Sequence, residues 1–132
     1  MKEMKETPKG FHRHANGGGL VQDTARVEAT AHVGPDAGVF DYAQVLGNAW
    51  VLGKARVSGY AVVIDNARVF DDAQVYGYAL VSDNAWVFHY AQVYDDAHVS
   101  DNARVYGNAR VCGNVWVSDD TQECGHLGLR QS

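Results

Sequence analysis

Small and apolar residues recur along this chain with a strict period of six. Valine occupies every sixth position from Val27 to Val117, sixteen times without a gap, and alanine stands two residues before each valine from Ala25 to Ala109. A period of six matches neither the 3.6-residue turn of an α-helix nor a long alternating strand. It does match a short strand followed by a corner, because the first and third residues of Ala-x-Val point to the same side of a strand.

The residues between the Ala-x-Val units are typical of tight turns. Pairs such as GN, DN, DD and GY follow the strand, and Gly, Asn and Asp tolerate left-handed backbone better than other residues do. Three strand-corner units can close a triangle of eighteen residues, in which each side chain stacks on its equivalent one coil away. The pattern therefore predicts a core of stacked Ala and Val.

This arrangement resembles the hexapeptide-repeat, left-handed parallel β-helix superfamily, and the sequence is most similar to uncharacterised bacterial and prophage members. The resemblance implies an all-β fold, a single-stranded left-handed parallel β-helix that forms a triangular β-solenoid of about six coils, with eighteen residues per coil. It covers residues 19–122, between an N-terminal lead-in (1–18) and a C-terminal tail (123–132). One feature departs from the family: glycine often follows the aliphatic residue there, whereas here residues such as Phe70 take that place.

Composition and charge exclude several classes of partner. The net charge is −5, so we expect neither a nucleic acid nor an anionic membrane as partner. No stretch approaches the roughly 18–20 apolar residues of a membrane-spanning helix, and the polar N-terminus lacks the apolar segment of a signal peptide. The two cysteines, Cys112 and Cys124, are too few for a disulfide framework, which indicates a cytoplasmic protein. Cys112 is expected to point outward.

Residues eighteen apart should stack in outward columns, and one wall of the triangle concentrates aromatic residues and arginines. Its two columns are Trp50, Arg68, Trp86, Arg104 and Leu52, Phe70, Phe88, Tyr106. The set could be a ladder that stabilises itself through ring stacking and cation–π contacts. It could also be an interface, since large apolar patches are uncommon on monomers. We favour an interface, and the resemblance implies a homo-oligomer, first of all a trimer with parallel axes; a different protein partner is the alternative.

Candidate chemistry is sparse. Hexapeptide-repeat acyltransferases use a histidine base near a subunit interface and often a loop that leaves the coil, but the hexads here run without an insertion. His89 in a corner and His98 on an outer wall are the candidate bases, and we favour neither. The His-x4-His pair of the zinc-binding carbonic anhydrases of this fold is absent. We predict no metal and no cofactor.

Three further features are interpreted as structural. One corner stacks Asp65, Asp83, Asp101 and Asp119, which could bind Ca²⁺, but more simply each accepts hydrogen bonds from its own turn. A second corner stacks Tyr42, Tyr60 and Tyr78, which we interpret as packing rather than as a binding platform. The glycine-rich stretch 14–21 is expected to form the first turn of the solenoid.

Three functions remain open at this point. The first is a non-catalytic scaffold or binding module that acts through self-assembly or protein docking on the aromatic wall. The second is a small acyltransferase-like enzyme with a site between subunits. The third is a phage or mobile-element protein that inhibits a host factor. An uninterrupted repeat with one apolar wall favours the first function.

Overall fold

The protein folds as a parallel β-solenoid. The computed structural model describes residues 7–118 and the backbone of the strand Gln122–Leu127. This part of the chain contains strands and turns but no α-helix, and so no helix long and apolar enough to cross a lipid bilayer. The predicted fold class, an all-β parallel solenoid with eighteen residues per coil, is confirmed by the strand pairing described next.

In the described part of the chain, sixteen short strands and two longer ones, β16 and β18, form three walls and a cap. Wall 1 contains β4 (His32–Val33), β7 (Trp50–Val51), β10 (Arg68–Val69), β13 (Trp86–Val87) and the start of β16 (Arg104–Val111). Wall 2 contains β2 (Leu20–Gln22), β5 (Gly38–Val39), β8 (Arg56–Val57), β11 (Gln74–Val75), β14 (Gln92–Val93) and the end of β16. Wall 3 contains β3 (Arg26–Val27), β6 (Gln44–Val45), β9 (Val62–Val63), β12 (Leu80–Val81), β15 (His98–Val99) and β17 (Trp116–Val117). β1 (Phe11–Arg13) forms the cap, and β18 (Gln122–Leu127) pairs with β16 and so extends walls 1 and 2.

Each strand pairs in parallel with the strands one coil before and after it. Arg68 lies opposite Trp50 on one side and Trp86 on the other, and Val69 lies opposite Val87. Wall 3 is a separate six-stranded sheet. Walls 1 and 2 belong to one twelve-stranded sheet, because β16 continues through the corner between them.

The interior contains the two predicted columns. Every repeat valine from Val33 to Val111 is fully buried, and the alanines from Ala31 to Ala109 are buried with them. Val27, near the first coil, is only partly buried, since a solenoid core is shielded least at its ends. The predicted inward positions of Ala and Val are therefore confirmed.

From Val39 to Val111, the second residue after each valine has left-handed backbone and forms the corner. Asp65 has φ 65°, Gly77 has φ 70° and His89 has φ 61°. From Ala25 to Ala103, a hydrogen bond from the alanine N–H closes the preceding turn, as from the Ala67 N–H to the Ile64 carbonyl at 3.4 Å. The turn chemistry inferred from the Gly and Asp positions is thus confirmed.

The N-terminal segment closes the first coil. Strand β1 pairs with β2 in antiparallel orientation, which ends the parallel stacking on wall 2. On wall 1, the Val33 N–H donates to the Asn16 carbonyl at 3.1 Å, and the Gly19 N–H donates to the Val33 carbonyl at 2.9 Å. The glycine-rich stretch therefore pairs with the exposed side of β4.

At the other end the backbone pairing continues past the repeat pattern. Strand β18 pairs in parallel with β16, and Glu123 lies opposite Val105. Backbone hydrogen bonds do not depend on the side chain, so a strand can add to the coil where the Ala-x-Val pattern has ended.

Candidate interface on the aromatic wall

The eight predicted interface residues lie together on the outer face of wall 1, which we call the aromatic wall. Trp50, Arg68, Trp86 and Arg104 precede the buried valines of β7, β10, β13 and β16 and so point outward. The guanidinium carbon of Arg68 lies 4.8 Å from the Trp50 ring centre and 5.5 Å from that of Trp86. Arg104 lies 4.7 Å from the Trp86 ring centre. Trp86 therefore contacts a guanidinium on each side.

The second column of the aromatic wall is a stack of rings beside the first. Phe70 and Phe88 are parallel with ring centres 4.9 Å apart, and Phe88 stacks on Tyr106 at 5.5 Å. Trp86 meets Phe70 edge to face at 5.7 Å, which ties the two columns together. Leu52 begins this column at the position one coil before Phe70.

These contacts cover part of the aromatic surface. Trp50 is 40% exposed, whereas Phe70, Trp86, Phe88 and Tyr106 are half-buried. The self-stabilising contacts considered from the sequence are therefore present, each contributing about 0.5–1 kcal/mol at an exposed site. Because the rings are stacked, they present mainly their edges to the outside. The faces of these rings are covered by their neighbours, so a flat ligand finds little free ring face on which to stack.

The aromatic wall is positively charged and lacks carboxylates. Arg68 and Arg104 are exposed, and neither forms an ion pair within residues 7–118. The neighbouring outward column consists of Asn48, Asn66, Asn84 and Asn102. A guanidinium that lies flat on an indole still presents N–H donors along its edge. Those donors can be satisfied by acceptors of another chain.

The corner that leads into wall 3 has an exposed column of tyrosines, which the sequence had suggested to be packing. Tyr42, Tyr60 and Tyr78 stack at 5.4 and 5.1 Å, as expected for packing, but their exposed fractions are 55, 52 and 63%. Beside them lie the half-buried Val62 and Leu80. The sequence feature that could have indicated this exposed apolar surface is that no outward residue on this wall between positions 42 and 82 is charged. Wall 3 is thus the natural surface for comparison with the aromatic wall.

The two candidate histidine bases are not brought together. His89 lies in the corner after wall 1, where its Nδ1 accepts a hydrogen bond from the Gly107 N–H at 3.1 Å. In that tautomer Nε2 bears the proton and cannot act as a base. His98 lies on wall 3, stacked on Trp116 with ring centres 4.5 Å apart. Burial lowers the pKa of His98 below its usual value, and the nearby Asp96 carboxylate opposes this shift without reversing it.

The aspartate corner has a different hydrogen-bond partner from the one expected. Asp65 accepts from the backbone N–H of Asp83 at 3.2 Å, so its partner is the next coil rather than its own turn. The left-handed backbone directs the side chain along the solenoid axis, where that N–H lies. No cluster of His, Cys, Asp or Glu in the described part of the chain is arranged to hold a metal ion. Asp119 lies outside the described residues.

Cys112 lies in the outward column as predicted, beside Tyr94 and outside the Ala and Val core, but it is not exposed. Its exposed fraction is 8%, and it hydrogen-bonds with Tyr94 one coil away, which together with burial raises the pKa of the Tyr94 hydroxyl. The column also contains the larger Tyr76. A small side chain at the end of a column of rings is covered by its neighbour, which explains the burial.

Comparison with known proteins supports the repeat architecture. A family model described as the YdcK beta solenoid repeat matches three overlapping segments, residues 91–107, 97–112 and 103–119. The three matches begin six residues apart, so they follow the hexad period. No curated protein and no solved structure gives a significant match to the chain. The chain is similar to a β-solenoid repeat protein, and its membership of the hexapeptide-repeat superfamily stays a prediction.

Proposed function

We propose that the protein is a non-catalytic β-solenoid scaffold that acts through protein–protein contact, with the aromatic wall as its contact face and a second copy of the chain as the partner. The observation that carries this proposal is the pair Arg68 and Arg104, which lie on tryptophan rings with no carboxylate partner within residues 7–118. Trp, Tyr, Phe and Arg are the residues most enriched in protein interfaces.

The order of the aromatic wall favours binding. Its side chains are held by ring and cation–π contacts along the solenoid axis, as in the stack of Phe70 on Phe88. Side chains that are ordered before association lose little conformational entropy when a partner binds. The parallel coils also fix their spacing at about 4.8 Å. The wall is therefore a preorganised, repetitive surface.

The other two functions have less support. An acyltransferase needs a base at a site between subunits, but the free nitrogen of His89 bears a proton and His98 stacks on Trp116. A phage-type inhibitor of a host factor would use the same surface, and no contact in the described residues favours it over self-association. The low cysteine content supports a cytoplasmic location.

The test compares matched charge substitutions on two walls by light scattering. The parent is expected to be oligomeric at tens of micromolar, about the range in which a specific contact persists. Trp86→Glu with Phe88→Glu should yield a monomer with unchanged far-UV circular dichroism, because both residues point outward. The control, Tyr78→Glu with Leu80→Glu, changes wall 3 in the same way and should leave the oligomer intact.

Two results would contradict the proposal. One is a folded parent that is monomeric at all concentrations up to roughly 200 μM, well above the micromolar range expected for a weak specific contact. The other is an oligomer that is split by the wall 3 control but survives the aromatic-wall substitutions. The second result would assign the contact to Tyr78 and its neighbours.

A further inference from the structure

We infer that the aromatic wall contacts the aromatic wall of a second copy around a two-fold axis, with the two solenoid axes antiparallel. The inference rests on the proposed function and names the arrangement of its partner. It starts from the order of one outward column, in which aromatic and cationic residues alternate as Trp50, Arg68, Trp86, Arg104.

An alternating column is complementary to a second copy of itself only when that copy is reversed. With the two-fold axis midway between β10 and β13, Arg68 faces Trp86 of the second copy, and Trp50 faces Arg104 of the second copy. Two parallel copies in register would instead place Arg68 against Arg68. Like charges opposite each other in an interface oppose association, so charge favours the reversed copy.

The two neighbouring columns lead to the same conclusion. A two-fold axis along the strand direction keeps each column opposite its own kind, so Phe70 faces Phe88 and Asn66 faces Asn84 of the second copy. A two-fold axis along the solenoid would exchange the columns and place Asn66 against an aromatic ring, which leaves a carboxamide without a partner. Only the antiparallel arrangement matches apolar with apolar and amide with amide.

All eight predicted interface residues fall into reciprocal pairs in this register. The pairs are Trp50 with Arg104, Arg68 with Trp86, Leu52 with Tyr106, and Phe70 with Phe88. The asparagine column beside the arginines supplies carboxamide oxygens to the guanidinium edges. At the adjoining corner Tyr90, which is 63% exposed, faces Asp72 of the second copy.

The presence of one self-complementary patch favours two copies over the three that the resemblance implies. A two-fold axis uses the same patch on both copies, whereas a three-fold ring needs two different patches that complement each other. The four coils involved span about 14 Å along the axis and about 16 Å across the strand. A contact of this size belongs with weak interfaces of less than about 1,200 Å², and we expect a dissociation constant in the micromolar range.

The test is charge complementation between Leu52 and Tyr106. These residues lie three coils apart in one chain, about 14 Å, so new charges there cannot pair within that chain. In the antiparallel register each faces the other across the contact. Leu52→Lys alone and Tyr106→Glu alone should each weaken the dimer about tenfold, as expected for a disrupted interface position. The double variant should return to the affinity of the parent, because two Lys–Glu pairs form.

Sedimentation velocity over roughly 1–200 μM, the range that brackets a micromolar dissociation constant, gives the dimer affinity of the parent, the two single variants and the double variant. The control combines Leu52→Lys with Ser100→Glu on wall 3. It adds the same two charges, but the new glutamate does not face the new lysine across the contact, so the dimer should stay as weak as with Leu52→Lys alone. A trimeric parent, or a double variant no tighter than its single variants, overturns the antiparallel dimer while leaving self-association through the aromatic wall intact. A parent that is monomeric throughout would instead reject the proposed function itself.

Discussion

The carboxylate of Asp83 accepts a hydrogen bond from the backbone N–H of Asp101, one coil further along the chain, at 3.0 Å. Asp95 makes the same contact to Gly113 at 3.1 Å. Both aspartates have positive φ, a conformation that Asp tolerates better than most residues with a Cβ. The corner aspartate therefore forms the turn and also links adjacent coils.

Substitutions at Asp83 separate these two roles. Asp83→Gly loses the hydrogen bond, which contributes about 0.5–1.5 kcal/mol, but keeps a residue suited to positive φ. Asp83→Ala loses the hydrogen bond and also places a Cβ in left-handed backbone, at a further cost of about 1 kcal/mol. We expect stability in urea to fall in the order parent, Gly, Ala. Equal losses for Gly and Ala would show that the backbone conformation contributes nothing at this corner.

The N-terminal cap depends on a close approach at Gly19. A Cβ built at Gly19 would lie 2.3 Å from Val33 Cγ1 and 2.4 Å from the Gly34 carbonyl oxygen, so Gly19→Ala must displace the cap. Overpacking of this kind costs about 1–3 kcal/mol. Gly18→Ala is the control, because that position has positive φ but nothing within 4 Å. Thermal unfolding should show the larger loss for Gly19→Ala, and the opposite order would place the critical contact elsewhere.

His98 should make stability depend on pH. Desolvation lowers its pKa in the folded protein below the usual 6.5, so folding disfavours the protonated imidazole. The stability it contributes is fully present above pH 6.5 and is lost as the pH falls from 6.5 toward the folded pKa. Over this pH interval the free energy of unfolding measured in urea should fall more for the parent than for His98→Gln. An NMR titration that gives His98 a pKa above 6.5 would contradict the direction of the shift.

The sequence by itself determined the solenoid, its three walls and its core. In this fold the contacting residues are eighteen apart, as with Val69 and Val87, so a regular local pattern also specifies the tertiary contacts. Reading every sixth residue was enough to identify the buried valines, the corners and the eight residues that meet on the aromatic wall. Few sequences carry their long-range contacts so directly, because most folds join elements at irregular separations.

The tertiary structure decided what the side chains do once the columns are formed. The period placed Asp65 in a corner, but only its side-chain direction selected the N–H of Asp83 as partner. The period placed Cys112 outside the core, but Tyr94 beside it covers the thiol. The period alone does not distinguish Tyr60 from Phe88, although Tyr60 is 52% exposed and Phe88 is half-buried. Repeat spacing fixes where a Cα lies, whereas exposure and hydrogen bonding depend on the size and rotamer of the neighbours one coil away.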